Sequence, residues 1–247
     1  MYRNILLTIE YDGTPFSGWQ RQPGRPTVQG SIEEALSMVC GKPVTIAGTS
    51  RTDAGVHAYG QRASFDGDFG IPTENIKYAL NNALPESIHI TAAEEMPEGF
   101  HARFDSKGKT YIYKILNTKE RDPFRRNYYC FVKKPLDMTR MRKAAEDVTG
   151  THDFVCFQAS GSTEKETTVR TVSRLDLTER GADEIDIEIT GDGFLYNMVR
   201  IIAGTLIDIG TGKMEPDEMK RIIEGRDRTK AGHTAPPQGL YLKEIYY

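Results

Sequence analysis

The chain predicts an α+β fold, and three observations point to it. Strand-like and helix-like segments alternate along its 247 residues. Hairpins interrupt that alternation. The helices are too few to cover both faces of a doubly wound parallel sheet.

Ile5 to Tyr11 reads as a strand, because β-branched and aromatic residues run into the turn chemistry of Asp12-Gly13. After a Gly/Pro-rich loop, Thr27 to Cys40 fits a helix: Val28, Ile32, Leu36 and Val39 recur at helical spacing, and Gly41 can end it. Val44 to Ala47 and Gln61 to Phe65 are short strand candidates. Thr73 to Leu84 repeats the helical pattern through Ile76, Leu80 and Leu84, with Thr73 as its N-cap. Ser87 to Ala93 is a further strand.

The second half echoes the first. Thr110 to Leu116 is a strand that puts Tyr111, Tyr113 and Ile115 on one face. Asp137 can cap a helix with apolar positions at Met138, Met141, Ala145 and Val148. Val169 to Thr178 and Glu184 to Thr190 form a hairpin around Gly181, in which Ile185, Ile187 and Ile189 alternate with Asp186 and Glu188. Phe194 to Ile209 is the most apolar helix, stopped by Gly210-Thr211-Gly212. Asp217 to Glu224 is a short helix and Leu240 to Tyr246 a closing strand. Two halves of strands backed by helices imply a pseudo-duplicated architecture without a detectable sequence repeat, divided at 1–105 and 106–247.

Hydrophobic residues make up 38% and charged residues 27%, the balance of a soluble globular protein. Cys40, Cys130 and Cys156 lie far apart, which favours reduced thiols in a cytoplasmic protein. The start, MYRNILLTIEYDG, lacks a signal peptide's apolar core, and no stretch is long enough to span a bilayer, so no membrane partner is expected. The formal net charge is -3. Clustering matters more than the sum: Lys107 to Lys109, Arg121, Arg125-Arg126, Lys133-Lys134 and Arg140 to Lys143 gather basic charge mid-chain. The same charges also read as an ordinary solvated face.

GTSRTDAGVHAYGQ, residues 48–61, holds a single carboxylate, Asp53. An Asp in such a loop often serves structurally, accepting backbone N–H groups two residues on. Three details favour chemistry. Ala54-Gly55 lets another backbone or a substrate approach closely, Arg51 and Thr52 offer donors, and flanking strands can hold the loop steady. In GDGFLYNMVRIIAG (191–204), Arg200 interrupts an apolar run. It either snorkels to the surface or pairs with a carboxylate in a cleft, for which Asp53 is one candidate among many. Tyr111 and Tyr113 follow the basic KGK run and are either core residues or a stacking platform for a nucleobase. His57, His89, His101, His152 and His233 show no ligand spacing, so no metal is expected. No P-loop, dinucleotide fingerprint or nucleophile elbow is present.

SRTDAGVHAYGQ resembles the signature of the tRNA pseudouridine synthase A family, and the likeness extends along nearly the whole chain. YDGTPFSGWQRQ (11–22), TVQGSIEEAL (27–36), FHARFDSKGKTYIYKI (100–115), GTHDFVCF (150–157), GFLYNMVR (193–200) and GLYL (239–242) follow in the family's order. Ser50 stands where the commonest pattern has Gly, which implies a local backbone adjustment. The resemblance implies a pseudouridine synthase fold: two ferredoxin-like halves sharing a continuous, antiparallel-rich mixed sheet, with a central active-site cleft. It implies a homodimer that converts uridines 38, 39 and 40 of the tRNA anticodon stem-loop without a cofactor. By the same resemblance Asp53 is the catalytic aspartate, Tyr111 stacks on the target base, and Arg200 pairs with the catalytic carboxylate. Leu240 lines the uracil pocket, Arg51 serves RNA binding and base displacement, and Arg21 is a tRNA contact.

Two rivals remain at this level. A glycoside hydrolase also works at an anomeric carbon but usually needs two carboxylates, and Asp12 is the candidate second one. A non-catalytic module of two RNA-binding halves would not depend on Asp53.

Overall fold

A computed structural model of the chain describes residues 2–161 and 167–247. They form two compact units. The first runs through Lys107 and includes Tyr241–Tyr247; the second is Gly108–Leu240. The first holds β1 (Tyr2–Tyr11), α1 (Val28–Cys40), β2 (Ala47–Gly48), β3 (His57–Asp68), α2 (Thr73–Ala83) and β4 (Ile88–Met96). The second holds β5 (Gly108–Asn117), β6 (Cys130–Val132), α3 (Met138–Glu146), β7 (Gly150–Asp153), β8 (Val169–Arg180), β9 (Glu184–Gly191), α4 (Met198–Gly210) and α5 (Glu218–Gly225). The last strand, β10 (Leu240–Tyr246), belongs from Tyr241 onward to the first unit. Sheets with helices and mixed strand pairing make this an α+β protein, as expected.

In the first unit β1 is central. It pairs antiparallel with β3, placing Ile5 opposite Phe65, and antiparallel with β4, placing Leu7 opposite Ala93. β10 lies parallel to β3, with Tyr241 opposite His57. Ile5, Leu7 and Ile9 alternate onto one face, and all three are fully buried with Ile32 and Leu36 of α1 and Leu80 of α2. The chain after β4 is fastened over the sheet by polar bonds: Asn4 Nδ2 donates to Phe100 O at 2.6 Å, and Ala102 N to Ser64 Oγ at 3.0 Å. Thr27, expected as the first helical residue, instead caps α1 through the Gly30 N–H, and Gly41 ends the helix with φ 68°, as the sequence predicts.

Three expectations shift in this unit. The strand expected at Val44 to Ala47 shrinks to Ala47–Gly48. The preceding backbone donors are taken by side chains of α1, Val44 N by Ser37 Oγ and Ile46 N by Glu33 Oε1, so no ladder forms there. The strand expected at Gln61 to Phe65 begins earlier, at His57. A Cβ on Gly60 would stand 2.4 Å from Lys243 O, so this glycine admits β10 alongside, where it would otherwise read as a strand breaker. The N-cap of α2 is Pro72, not Thr73. The Thr73 hydroxyl is engaged instead by Glu95 and by Arg3 Nη1.

In the second unit the strand order is β5-β9-β8-β7, all antiparallel, with β6 parallel to β5. The β8–β9 hairpin turns at Gly181, φ 66°, and buries Ile185, Ile187 and Ile189 as predicted. Asp137 caps α3 through the Arg140 N–H, but that helix stops at Glu146. Val148 is buried just beyond it, in a turn closed by its N–H on Ala145 O. β6 and β7, three and four residues long, carry too little pattern to be read from sequence.

The apolar helix starts at Met198, four residues later than expected. Asn197 adopts the left-handed conformation, φ 61°, which breaks helical continuity from Phe194. Arg200 therefore lies in the first turn of α4. The middle of the same helix packs tightly on the chain at 233–235, where a Cβ on Gly204 would stand 1.9 Å from His233 O. Replacing Gly204 by Ala should lower unfolding free energy by about 1–3 kcal/mol, as overpacking does. Gly70→Ala, with nothing within 4 Å, is the matched control and should stay within about 0.5 kcal/mol. Urea denaturation of the two variants checks both values.

Candidate active site

In the first unit, Asp53 sits half-buried in the loop between β2 and β3. Its neighbours are tied down on both sides. Ser50 N donates to Gln61 Oε1 at 3.2 Å, and Gln61 Nε2 returns a bond to Ser50 O at 2.7 Å, from a fully buried glutamine. Ser50 thus fits with its backbone fully engaged. Thr52 O accepts the Trp19 N–H at 3.0 Å, and Thr52 Oγ1 meets Tyr11 OH at 2.7 Å. Val56 N closes a turn on Asp53 O at 3.1 Å, with Gly55 at φ 77°.

Two glycines permit this closeness. Gly18, at φ 94°, would put a Cβ 2.6 Å from Thr52 O and 3.1 Å from the Asp53 carbonyl carbon. A Cβ on Gly13 would fall 2.0 Å from Val56 O. The 11–22 loop is in turn held by α1, whose first residues donate from Val28 N to Gly18 O and from Gln29 N to Trp19 O. Trp19 is buried, its indole lying against Gly48.

His57 follows at the start of β3 and is buried. Its Nδ1 accepts the Gly13 N–H at 3.1 Å and lies 3.2 Å from Asp12 Oδ1, while its ring stacks on Tyr241 at 4.6 Å. Asp12 Oδ1 also accepts Thr14 N at 2.9 Å, so this carboxylate is occupied in shaping the turn after β1. Sequence reasoning left Gln61, Tyr11, Gly18 and His57 without a role, although all four lie in or beside the quoted motifs.

The two candidate arginines of this unit differ. Arg51 is exposed and makes no ion pair among the described residues. Arg21 is also exposed but reaches Glu33 Oε2 at 3.0 Å. Glu33 is buried and accepts Gln29 Nε2 and Ile46 N as well, so Arg21 is the cationic partner of an acid inside α1.

In the second unit, Arg200 is partly buried. Its Nε donates to Ala235 O at 2.8 Å and its Nη1 to Asn197 Oδ1 at 2.7 Å; Ala235 N donates back to Arg200 O at 3.0 Å. A cation in the first turn of a helix opposes the helix dipole, and these acceptors offset that cost. Tyr111, on β5, is 8% exposed and meets Phe194 edge-on at 5.3 Å. Tyr113, two residues along on the same face, is fully buried and donates its hydroxyl to Pro236 O at 2.8 Å. Burial holds that phenol well above its usual pKa, so it stays a donor. Leu240, buried, ends the unit just after the turn at Pro237–Gly239. Arg200 and Tyr113 thus grip consecutive carbonyls, Ala235 and Pro236, of the irregular segment leading to Leu240.

Burial pushes the Cys156 thiol up to about 12 and raises Cys130 as well, so both are neutral near pH 7. Among the described residues, no group of three or more His, Cys, Asp or Glu is placed to hold a metal ion, and no helix is long and apolar enough to cross a membrane.

A family model described as tRNA pseudouridine synthase matches residues 7–105 and 144–247. The matched stretches contain Arg21, Arg51, Asp53, Arg200 and Leu240; Tyr111 lies between them. The tRNA pseudouridine synthase A of Ruminiclostridium cellulolyticum is 51% identical over 245 residues, covering 99% of this chain and 100% of the relative. The tRNA pseudouridine synthase A 2 of Clostridium tetani is 49% identical over 249 residues and covers 100% of both chains. The tRNA pseudouridine synthase A of a Thermoanaerobacter species is 49% identical over 245 residues, 99% of this chain and 100% of its own. With most of its length matched and its motifs in order, the chain belongs to the tRNA pseudouridine synthase family.

Proposed function

We propose that this member of the family isomerises the uridines at positions 38, 39 and 40 of the tRNA anticodon stem-loop to pseudouridine, acting without a cofactor, as a homodimer in the cytoplasm. The observation that carries the reading is the Asp53 loop. The single carboxylate of the family signature is presented half-buried from a segment locked at Ser50, Thr52 and Val56. Such fixing is what a reacting group needs and a merely solvated Asp does not.

The reaction breaks the bond between N1 and C1′, turns the uracil, and joins C5 to C1′. The proton on C5 leaves and N1 ends protonated, so no atom is lost and no electron leaves the substrate. An ionised Asp53 can begin this as a nucleophile at C1′ or as the base that removes the 2′ proton to give a glycal. Both routes need the carboxylate charged, and the reading assigns Arg200 as its cationic partner. The base must leave the stack first. Tyr111 is assigned to stack on it, Leu240 to line a dry pocket that retains the detached uracil, and Arg51 to RNA binding and base displacement. Arg21 is assigned a tRNA contact in addition to its bond to Glu33.

Three variants test the reading. Asp53→Asn should form no pseudouridine above background while its tRNA Kd stays within about twofold of the parent, because the substitution removes charge and little volume. Turnover like the parent's in purified variant sinks the assignment, and free uracil released by the parent would indicate hydrolysis instead. Gly18→Ala should lower kcat roughly a hundredfold with little change in KM, because the added methyl displaces Thr52 and with it Asp53; an unchanged kcat contradicts the loop's role. Arg200→Met should abolish activity and cost about 1–3 kcal/mol of stability through the lost bonds to Ala235 and Asn197. Normal activity with an unchanged melting temperature removes Arg200 from the site.

A further inference from the structure

Residues 119–134 fall between the two stretches matched by the family model and take no part in the assignments above. Phe124, on the loop before β6, is 88% exposed, and Tyr128, four residues on, is exposed as well. An isolated exposed aromatic is unremarkable, but this loop is built. Arg125 reaches Asp122 at 2.7 Å, Glu184 at 3.0 Å and Asp183 at 3.3 Å. The Asp122 carboxyl is held below its usual range, chiefly by that bond to Arg125, and it also accepts the Phe124 N–H at 2.8 Å. Tyr129 OH adds a bond to Glu184, and Tyr128 N closes a turn on Arg125 O.

Asp122, Asp183 and Glu184 are therefore satisfied by Arg125 and Tyr129. What remains outward is Phe124 with the exposed cations Lys119, Arg121, Arg126 and Lys133, none in an ion pair among the described residues, and the exposed acid Glu120. Arg121 lies over the Phe131 ring at 5.5 Å, which keeps its guanidinium on this surface. An exposed aromatic ring on a hydrogen-bonded backbone, among guanidinium and ammonium groups outside any ion pair, fits a polyanion that carries unstacked bases. Two copies of this chain meeting here would bring like charges together, which disfavours a protein–protein contact at the loop.

We infer that the 119–134 loop is a second RNA contact, in which Phe124 stacks on an unpaired base of the tRNA while Arg121 and Arg126 meet its phosphates. The inference rests on the proposed substrate but not on the catalytic assignments. It is tested by the binding of an unmodified tRNA transcript to the full chain at several salt concentrations. Phe124→Ala should raise Kd roughly tenfold, as the loss of one base–aromatic stack does, and Phe124→Trp should keep the parent's affinity. The double variant Arg121→Gln, Arg126→Gln should flatten the salt dependence of binding by about two phosphate contacts. Pseudouridine formation at saturating tRNA and melting temperature should hold in all three. A Kd within twofold of the parent in both Phe124→Ala and the double variant overturns the inference. So does a changed sedimentation coefficient with unchanged tRNA affinity, which would make the loop a contact between copies. A parent that binds tRNA but makes no pseudouridine defeats the functional reading alone, because the loop is judged on Kd.

Discussion

The structure of the first unit depends on the approach of one loop backbone to another: Trp19 N on Thr52 O at 3.0 Å, with Gly18 pressed against the peptide that carries Asp53. No side chain can occupy that space. The approach is backed by α1, which grips Gly18 and Trp19 through its first backbone donors, and by Trp19 itself, seated on Gly48. A catalytic loop is commonly placed on a stiff scaffold because errors of an ångström are costly. Around Asp53 the stiffness comes from hydrogen bonds to backbone and from glycines.

The second unit fixes its charged candidate by a different means. Arg200 stands at the end of α4 that a helix dipole makes unfavourable for a cation, by about 0.3–1 kcal/mol. It is retained there through Ala235 O and Asn197 Oδ1, and the left-handed Asn197 is itself a local cost. Local violations of this kind tend to gather where a residue serves chemistry rather than stability. Glu33 shows the contrasting case: a buried acid whose partners, Arg21, Gln29 and the Ile46 N–H, complete a structural network.

A formal net charge of -3 is compatible with an RNA substrate because charge is not spread evenly. Asp122, Asp183 and Glu184 are drawn into one knot around Arg125, leaving neighbouring cations outward. Affinity for a polyanion depends on such unpaired cations and on exposed rings more than on the protein's total charge.

The amino-acid order alone determined the α+β class, the helix stop at Gly41, the cap at Asp137, the hairpin at Gly181 and the family, because each rests on local chemistry or on motifs contiguous in the chain. Asp53 was legible as a candidate for the same reason, as a lone carboxylate amid small and basic residues. The start of α4 was not, since an asparagine can continue a helix or break it, and the left-handed state at Asn197 is visible only in the folded chain. The strand expected at Val44 failed likewise, because α1 side chains captured its backbone donors. Gln61, Tyr11 and Gly18 act through partners 11, 41 and about 34 residues away, distances at which sequence carries no local signal. Only the folded chain could assign them, because a hydrogen bond's worth is set by where its partner ends up, and burial and chain entropy decide that for the molecule as a whole.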